Sequence, residues 1–508
     1  MSRTVIDVLL LACVCLYALG LLFVSLYTIA QAQLLWRYLR KRKPEEVYLH
    51  NDSFRPFVTI QLPVYNERYV VERLIDAVCR IRYPRHLLEI QVLDDSTDET
   101  TTLAAAKAAE WNAQGVEVIH IRRPNRKGFK AGALKHGLAT ARGECIAIFD
   151  ADFVPGEDFL EKTLPYFADE KTGMVQTRWG HINRNYSILT RLQAFALDAH
   201  FTVEQVGRNM GGFINFNGTA GIWRKAAIED AGNWEDDTLT EDLDLSYRAQ
   251  LKNWQFIYLE DTVSPAELPP VMSALKSQQY RWTKGGAEVA KKHLANVIKS
   301  PFSFGKKWHG ALHLLNSAVF ISVIITSLTS VPLLFAKRDF PSLQPMFLVA
   351  TVFLLSFVVL GAMYYVSSRS YFRSQGQGVW QFLYTFPVFL SVSMGLSLHN
   401  AVAVIEGYAG RKTPFVRTPK FNIHTQADRW KGNVYLRNAF TPLVLAEALL
   451  MGYFVYGIVT GIRLGDYGLL PFHAMLAAGF GAVFVFSVFP GLAVRSGEDK
   501  AGVVSQGF

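Results

Sequence analysis

Three short stretches carry the side chains best suited to chemistry. Asp150-Ala151-Asp152 leaves the apolar run Cys145-Ile-Ala-Ile-Phe149. Two carboxylates two positions apart on an extended segment fall on one side and offer the oxygen ligands that Mg2+ or Mn2+ takes. Thr240-Glu241-Asp242 opens a helix-like run through Leu243, Leu245 and Tyr247, and an ionised Asp242 there can accept a proton from a hydroxyl. Gln278-Gln-Tyr-Arg281-Trp282 joins a guanidinium that pairs with phosphate through two hydrogen bonds to a flat indole that suits a sugar ring. In this order they describe sugar transfer from a nucleotide diphosphate. On that reading a cation and Arg281 would meet the leaving group, Asp242 would act as general base, and the anomeric configuration would invert. Each stretch alone has a plain structural reading: a solvated acidic turn, acids stabilising a helix start, or an interface anchor. No second carboxylate pair argues for a covalent sugar-enzyme intermediate.

These groups need a scaffold that brings them together. Phe57–Pro63, Glu89–Leu93, Val116–Ile121 and Cys145–Phe149 read as short strands, each followed by a helix-like stretch, which predicts crossover connections and a mostly parallel sheet. Ligands of such sheets collect at the carboxyl ends of the strands. There lie Tyr65-Asn66-Glu67, Asp94-Asp95-Ser96 and Asp150-Ala151-Asp152, so all three should line one crevice. An aromatic ring to stack on a base and a carboxylate to accept its N–H fit that place, although Asn, Asp and Ser favour plain turns on their own. Gly128 and Gly132 do not make a phosphate loop ending in Lys-Ser/Thr, so ATP chemistry is not expected. Lys130 and the nearby Arg126 and Lys127 could meet phosphates, with a surface basic turn as the plain reading of Arg126 and Lys127.

The chain has 508 residues, half of them hydrophobic, which is too long for one ordinary soluble core. The apolar content concentrates at the two ends, around an acid-rich middle. Thr4–Gln33 is long enough to span a bilayer as an uncleaved anchor. Arg37, Arg40, Lys41, Arg42 and Lys43 follow it, placing the globular insert in the cytosol by the positive-inside bias. Further spans are expected at Leu312–Phe335, Pro345–Val366, Thr441–Ile462 and Leu469–Val494. Trp380–Ile405, with Pro387, Ser391, Ser393, Ser397, His399 and Asn400, is expected to be interfacial or re-entrant, which leaves the basic loop near 406–436 cytosolic. The divisions are then 1–46 (anchor and basic flank), 47–270 (catalytic), 271–310 (interface helices) and 311–508 (membrane helices and basic loop). The net charge of +9 sits beside the spans, where it faces lipid head groups, so the bilayer and not nucleic acid is the expected partner. The four cysteines show neither metal-ligand nor disulfide spacing.

Pro63-Val-Tyr-Asn-Glu67, Asp94-Asp-Ser-Thr-Asp98, Lys130-Ala-Gly-Ala133, Asp150-Ala-Asp152, Phe216-Asn-Gly-Thr-Ala-Gly-Ile-Trp223, Thr240-Glu-Asp242 and Gln278-x-x-Arg-Trp282 resemble, in order, the motifs of family 2 processive glycosyltransferases. The chain is most similar to the cellulose-synthase-like group that includes mannan and xyloglucan-backbone synthases. The resemblance covers about Phe57 to Lys291 and implies a GT-A-type, Rossmann-like α/β domain between transmembrane helices. It also implies a UDP-glucose or GDP-mannose donor, a growing β-linked polysaccharide as acceptor, and a divalent cation. Carried over residue by residue, Tyr65, Glu67, Asp94, Asp95, Lys130, Asp150, Gln278 and Arg281 would hold the donor. Asp150 and Asp152 would hold the metal, Asp242 would be catalytic, and Phe216, Asn217, Gly218, Thr219, Glu241 and Trp282, with Trp223 beside them, would face the acceptor. Phe415-Val-Arg-Thr-Pro-Lys420 resembles the gating-loop motif of cellulose synthases, with Arg417 in place of a valine. The alternative left open is a single transfer to a lipid acceptor. A multi-pass protein of a plasma, inner or Golgi membrane is implied, while donor base, oligomeric state and envelope partner subunits have no signature in the sequence.

Overall fold

A computed structural model describes residues 3–40, 54–345, 353–376, 378–413, 416–423 and 441–490, with a few isolated residues between them. Its centre is a seven-stranded sheet of order β3-β2-β1-β4-β6-β5-β7. The strands are β1 Val58–Val64, β2 Leu88–Asp94, β3 Val118–Arg122, β4 Cys145–Ile148, β5 Thr172–His181, β6 Gly221–Arg224 and β7 Gln255–Ala266. The first four pair in parallel, as their alternation with helices requires. β6 runs antiparallel between β4 and β5, and β7 pairs in parallel with β5.

β1 and β2 are buried on both faces, which accounts for their Val, Ile and Leu content. Ile60, Leu62, Val92 and Phe149 pack into one core layer, and Leu93, Ile146, Ile148 and Trp223 into the other. The strand polar groups among them pair internally: Gln61 donates to Gln91 at 3.0 Å and Thr59 to Glu89 at 2.6 Å. With both faces sealed, the carboxyl ends of β1, β2 and β4 are left as the open edge. There Asn66, at φ 54°, turns the chain. It is held by Ser96 Oγ accepting its N–H at 2.9 Å and by its own Oδ1 accepting from Thr97 N–H at 2.8 Å.

Among the described residues, four helices are long and apolar enough to cross a membrane: Arg3–Arg40, Phe304–Asp339, Pro442–Leu464 and Leu470–Val488. The segment expected to be interfacial or re-entrant is not one straight helix. Val379–Gly395 and Ser397–Ala409 meet at a 47° bend, and the pair counts as a fifth span only if it is one broken crossing. The expected span Pro345–Val366 is represented by Leu354–Ser374, and most of its beginning falls outside the described residues. Lys41, Arg42 and Lys43 of the basic flank, and residues 491–494 of the last expected span, also lie outside them.

The helix Met272–Lys299 joins the sheet domain to the membrane helices. Gly285 lets it approach Thr240 so closely that an added Cβ would stand 2.5 Å from Thr240 Cγ2. On the other side Lys276 Nζ pairs with both Glu447 oxygens at 2.8 Å and with Ser487 Oγ at 2.9 Å. His399 Nε2 is 2.9 Å from the Lys276 carbonyl. A buried ion pair contributes little net stability over an apolar pair, but it fixes register because either partner alone is costly. Three helices, Ser397–Ala409, Pro442–Leu464 and Leu470–Val488, are thus keyed to the turn that precedes Gln278.

Candidate active site

The open edge of the sheet is a cleft whose wall includes Tyr65, Glu67, Asp95, Lys130, Asp150, Asp152, Asn217, Gly218, Glu241, Asp242, Gln278, Arg281 and Trp282. Groups separated by more than two hundred residues converge because β1, β2 and β4 end there and the helices Glu241–Leu251 and Met272–Lys299 start beside them.

Cations stand on both members of the Asp-x-Asp pair. Lys130 Nζ lies 2.6 Å from Asp150 Oδ1, and Lys420 Nζ lies 2.6 Å from Asp152 Oδ2. Two carboxylates on the wall of one cleft, each attracting an ammonium, supply oxygen donors of the kind a hard divalent cation takes. Lys130 also donates to the Gly218 carbonyl at 2.8 Å and lies 3.8 Å from Glu241. Burial lowers its pKa, but Asp150 and Glu241 outweigh that and hold the ammonium charged. A second acidic group, Glu235, Asp237 and Asp244, lies apart from the cleft. Lys292 Nζ sits among its three carboxylates at 2.6, 2.9 and 2.9 Å, so it carries its own counter-charge.

Asp242 is in the first turn of its helix, where its Oδ1 accepts the Leu243 N–H at 2.8 Å. Thr240 occupies the cap position without a side-chain cap bond, and its side chain packs against Gly285. Burial first, then the adjacent Glu241 carboxylate, push the Asp242 pKa up to about 7, against the pull of Lys130. Burial also raises Glu241, with Lys130 opposing. Gly218 has φ +80°, and a Cβ there would stand 2.9 Å from Asp242 Oδ2, so glycine keeps the space around that oxygen clear.

The nucleoside end is built as an aromatic and charged corner. The Arg126 guanidinium lies 3.3 Å from the centre of the Tyr65 ring. Of the two readings of this basic turn, Arg126 follows the one that brings it to the cleft, which it lines. Arg123 grips Asp95 with two bonds of 2.8 and 2.5 Å. Glu67 is buried and pairs with Arg417 at 2.5 Å. At the opposite end Trp179 and Trp282 lie with ring centroids 6.4 Å apart, and His181 lines the same wall.

Three expected contact residues, with their neighbour Trp223, do not reach the cleft wall. Asp94 is fully buried, with Oδ2 2.9 Å from His120 and Oδ1 accepting the Ser96 N–H at 2.8 Å. Burial raises its pKa, but those bonds outweigh it and hold the group at about 2. As the last paired residue of β2 it braces the loop, and Asp95 is the one that faces the cleft. Phe216 and Trp223 are fully buried edge to face, 5.7 Å apart. Thr219 is buried with its Oγ1 accepting the Asp150 N–H at 2.9 Å, so it shapes the Asp150 turn from behind. Trp179, His181, Glu267 and Thr418 line the cleft without having been expected there. The alternation Trp179-Gly-His181 on one strand face was the available signal for the first two.

A sheet in this order, with the carboxylate pair after β4 and Asp242 on the wall of the same cleft, is that of a GT-A-type glycosyltransferase fold. The solved structure of the mannosyltransferase PcManGT from Pyrobaculum calidifontis, in complex with GDP-Man and Mn2+, superimposes with a TM-score of 0.52 at 20% identity, covering 78% of this chain and all of that one. Residues 56–285 match the profile of the family described as Glycosyltransferase like family 2. Glucomannan 4-beta-mannosyltransferase 7 of Arabidopsis thaliana is 42% identical over 287 residues, 53% of this chain and 52% of the relative. Probable glucomannan 4-beta-mannosyltransferase 4 of Oryza sativa subsp. japonica is 44% identical over 277 residues, 53% of this chain and 50% of its own. The chain spans about half the length of the curated relatives it matches. Over residues 56–285 the chain is similar to family 2 glycosyltransferases, and over about half its length to the two glucomannan mannosyltransferases.

Proposed function

We propose that the chain is an inverting, cation-dependent hexosyltransferase that extends a β-1,4-linked polysaccharide, with GDP-mannose favoured over UDP-glucose as donor. The observation that carries this reading is the convergence of Asp150, Asp152, Lys130, Asp242 and Arg281 on one cleft at the carboxyl edge of the sheet. The mannosyltransferase names of the relatives support the choice of donor.

On this reading Asp150 and Asp152 hold the cation, Mg2+ or Mn2+. When bound, it neutralises charge on the departing diphosphate. Tyr65 and Arg126 flank the base, while Glu67, Asp95 and Gln278 complete the donor's polar surroundings. Lys130 and Arg281 pair with phosphate oxygens. Asp242 accepts the proton of the acceptor hydroxyl as its oxygen attacks the anomeric carbon from the face opposite the diphosphate, which inverts that centre. Trp282 and Trp179 give the acceptor sugar flat apolar surfaces, with Asn217 and Glu241 beside them. A second large cavity, among Tyr17, Tyr27, Phe320, Phe357 and Phe389, shares Leu197, Gln278 and Trp282 with the cleft, which supports a glycan exit path between the membrane helices. The cations after the first span support a cytosolic cleft.

Purified chain incubated with labelled GDP-mannose or UDP-glucose and Mn2+ tests the reading. A ladder or insoluble polymer from GDP-mannose is expected, whereas a single organic-extractable product from either donor replaces the polymer with a lipid acceptor. The pH profile follows from the environment of Asp242. Its folded pKa is raised to about 7, so the base is protonated below that pH. The value of kcat/KM is therefore expected to fall by about tenfold per pH unit on the acid side and to level off above it. A profile flat down to pH values near 5 would reject Asp242 as the base.

A further inference from the structure

Lys420 reaches the cleft on a segment that lies between two membrane-associated helices, 268 residues from its partner Asp152. The pair is 2.6 Å long with side chains only 15% and 7% exposed. The segment that delivers it is fixed at several points. Glu267 accepts the Phe421 and Asn422 N–H groups at 2.9 Å each, and Asn433 Nδ2 donates to the Lys420 carbonyl at 2.8 Å. Arg281 donates to Thr418 Oγ1 at 2.8 Å, and Arg417 holds Glu67 at 2.5 Å. Thr418, Phe421 and Ile423 are buried. The ammonium is therefore placed on this carboxylate by its backbone.

A carboxylate oxygen engaged by an ammonium at this distance is not free for a metal ion, and one anionic oxygen in a low-dielectric cleft cannot serve two cations equally. We propose that Lys420 is a stand-in cation. It neutralises Asp152 while no metal is bound and competes with the metal for Oδ2; once displaced it is free for the diphosphate contact that the gating-loop resemblance already implies. The backbone anchors keep the displaced ammonium inside the cleft, where phosphate oxygens are the acceptors that the donor brings. Lys130 cannot be read so simply on Asp150, because it also bonds the Gly218 carbonyl and neighbours Glu241. The proposal rests on Asp152 being a metal ligand, and it gives one residue effects of opposite sign in two states.

The test is a Mn2+ titration of the detergent-solubilised full chain, followed by electron paramagnetic resonance, with and without GDP. In Lys420→Met and Lys420→Gln, free Mn2+ is expected to bind about tenfold tighter without nucleotide, and Mn2+ with GDP about tenfold weaker, the scale set by one charge-assisted pair. Lys420→Arg keeps the charge and stays close to the wild type. Met and Gln variants that bind Mn2+ no tighter than wild type without nucleotide overturn the proposal, as does an Arg variant that behaves like them. Asp152→Asn separates the two levels. Loss of Mn2+ binding in that variant leaves the metal assignment standing whatever Lys420 does, whereas unchanged Mn2+ binding removes the assignment and the stand-in role together.

Discussion

Replacing Asp242 with asparagine is expected to lower kcat by about 10³-fold, within the range for loss of a general base, while donor affinity changes by less than about twofold. The amide has the shape of the carboxylate and its oxygen can still accept the Leu243 N–H, so the local helix start is preserved. It has no lone pair basic enough to take a hydroxyl proton. Stability provides an independent check on whether the loss is chemical. The folded pKa of Asp242 is raised from 3.8 to about 7, so between those values the native state binds the extra proton. Stability then falls as pH rises through that window. Above it the buried carboxylate is a standing cost beside Glu241, which the amide removes. The variant is expected to unfold at the same or a higher temperature than the wild type at pH 8, even as transfer collapses. A lower Tm together with reduced donor binding would assign the loss to misfolding and remove the catalytic role.

Asp152→Asn is expected to lower transfer by about 10³-fold as well, but through donor and metal, since a cation on a departing diphosphate contributes several kcal/mol. Its kinetic signature differs from that of Asp242→Asn. Mn2+ and nucleotide affinities fall together, and raising Mn2+ recovers part of the rate. The side chain of Asp152 is 7% exposed and that of Asp150 is 36% exposed, so solvent replaces a lost contact less readily at Asp152. The substitution also leaves the Lys420 ammonium without its counter-charge in a confined place. A rate independent of added Mn2+ in the wild type, and unaltered metal affinity in Asp152→Asn, would contradict this assignment.

The sequence made the first half of the sheet legible for a physical reason. β1, β2 and β4 are short β-branched runs bounded by acids, and their hydrophobic cores demand burial on both faces, so the acids fall at the open edge. β5, β6 and β7 gave no such signal. β6 is four residues long, and β7 carries Glu260, Asp261 and Pro265 along a largely half-exposed course. Thr240-Glu241-Asp242 and the Gln278 to Trp282 helix were visible as local patterns, and both reach the cleft. What local pattern could not settle was the direction in which a polar residue points once its strand is paired. Asp94 and Asp95 are neighbours of the same type, yet one braces His120 and the other lines the cleft. Phe216 and Trp223, which the resemblance places by the acceptor, fill the core, while Trp179 stands by Trp282. Arg417 and Lys420 were visible as a gating-loop-like motif, but their pairing with Glu67 and with Asp152, 268 residues away, is a long-range placement that the local pattern does not announce.

The account turns on a single displacement at the anomeric carbon, with Asp242 on one side and the cation-held diphosphate on the other. Proton NMR of the first oligosaccharide products, formed by purified chain from GDP-α-mannose and Mn2+, reads the configuration of the new linkage directly. A β-linkage in the earliest product, absent when Mn2+ is chelated, is the predicted result. An α-linkage, or transfer that proceeds unchanged without the metal, would contradict it.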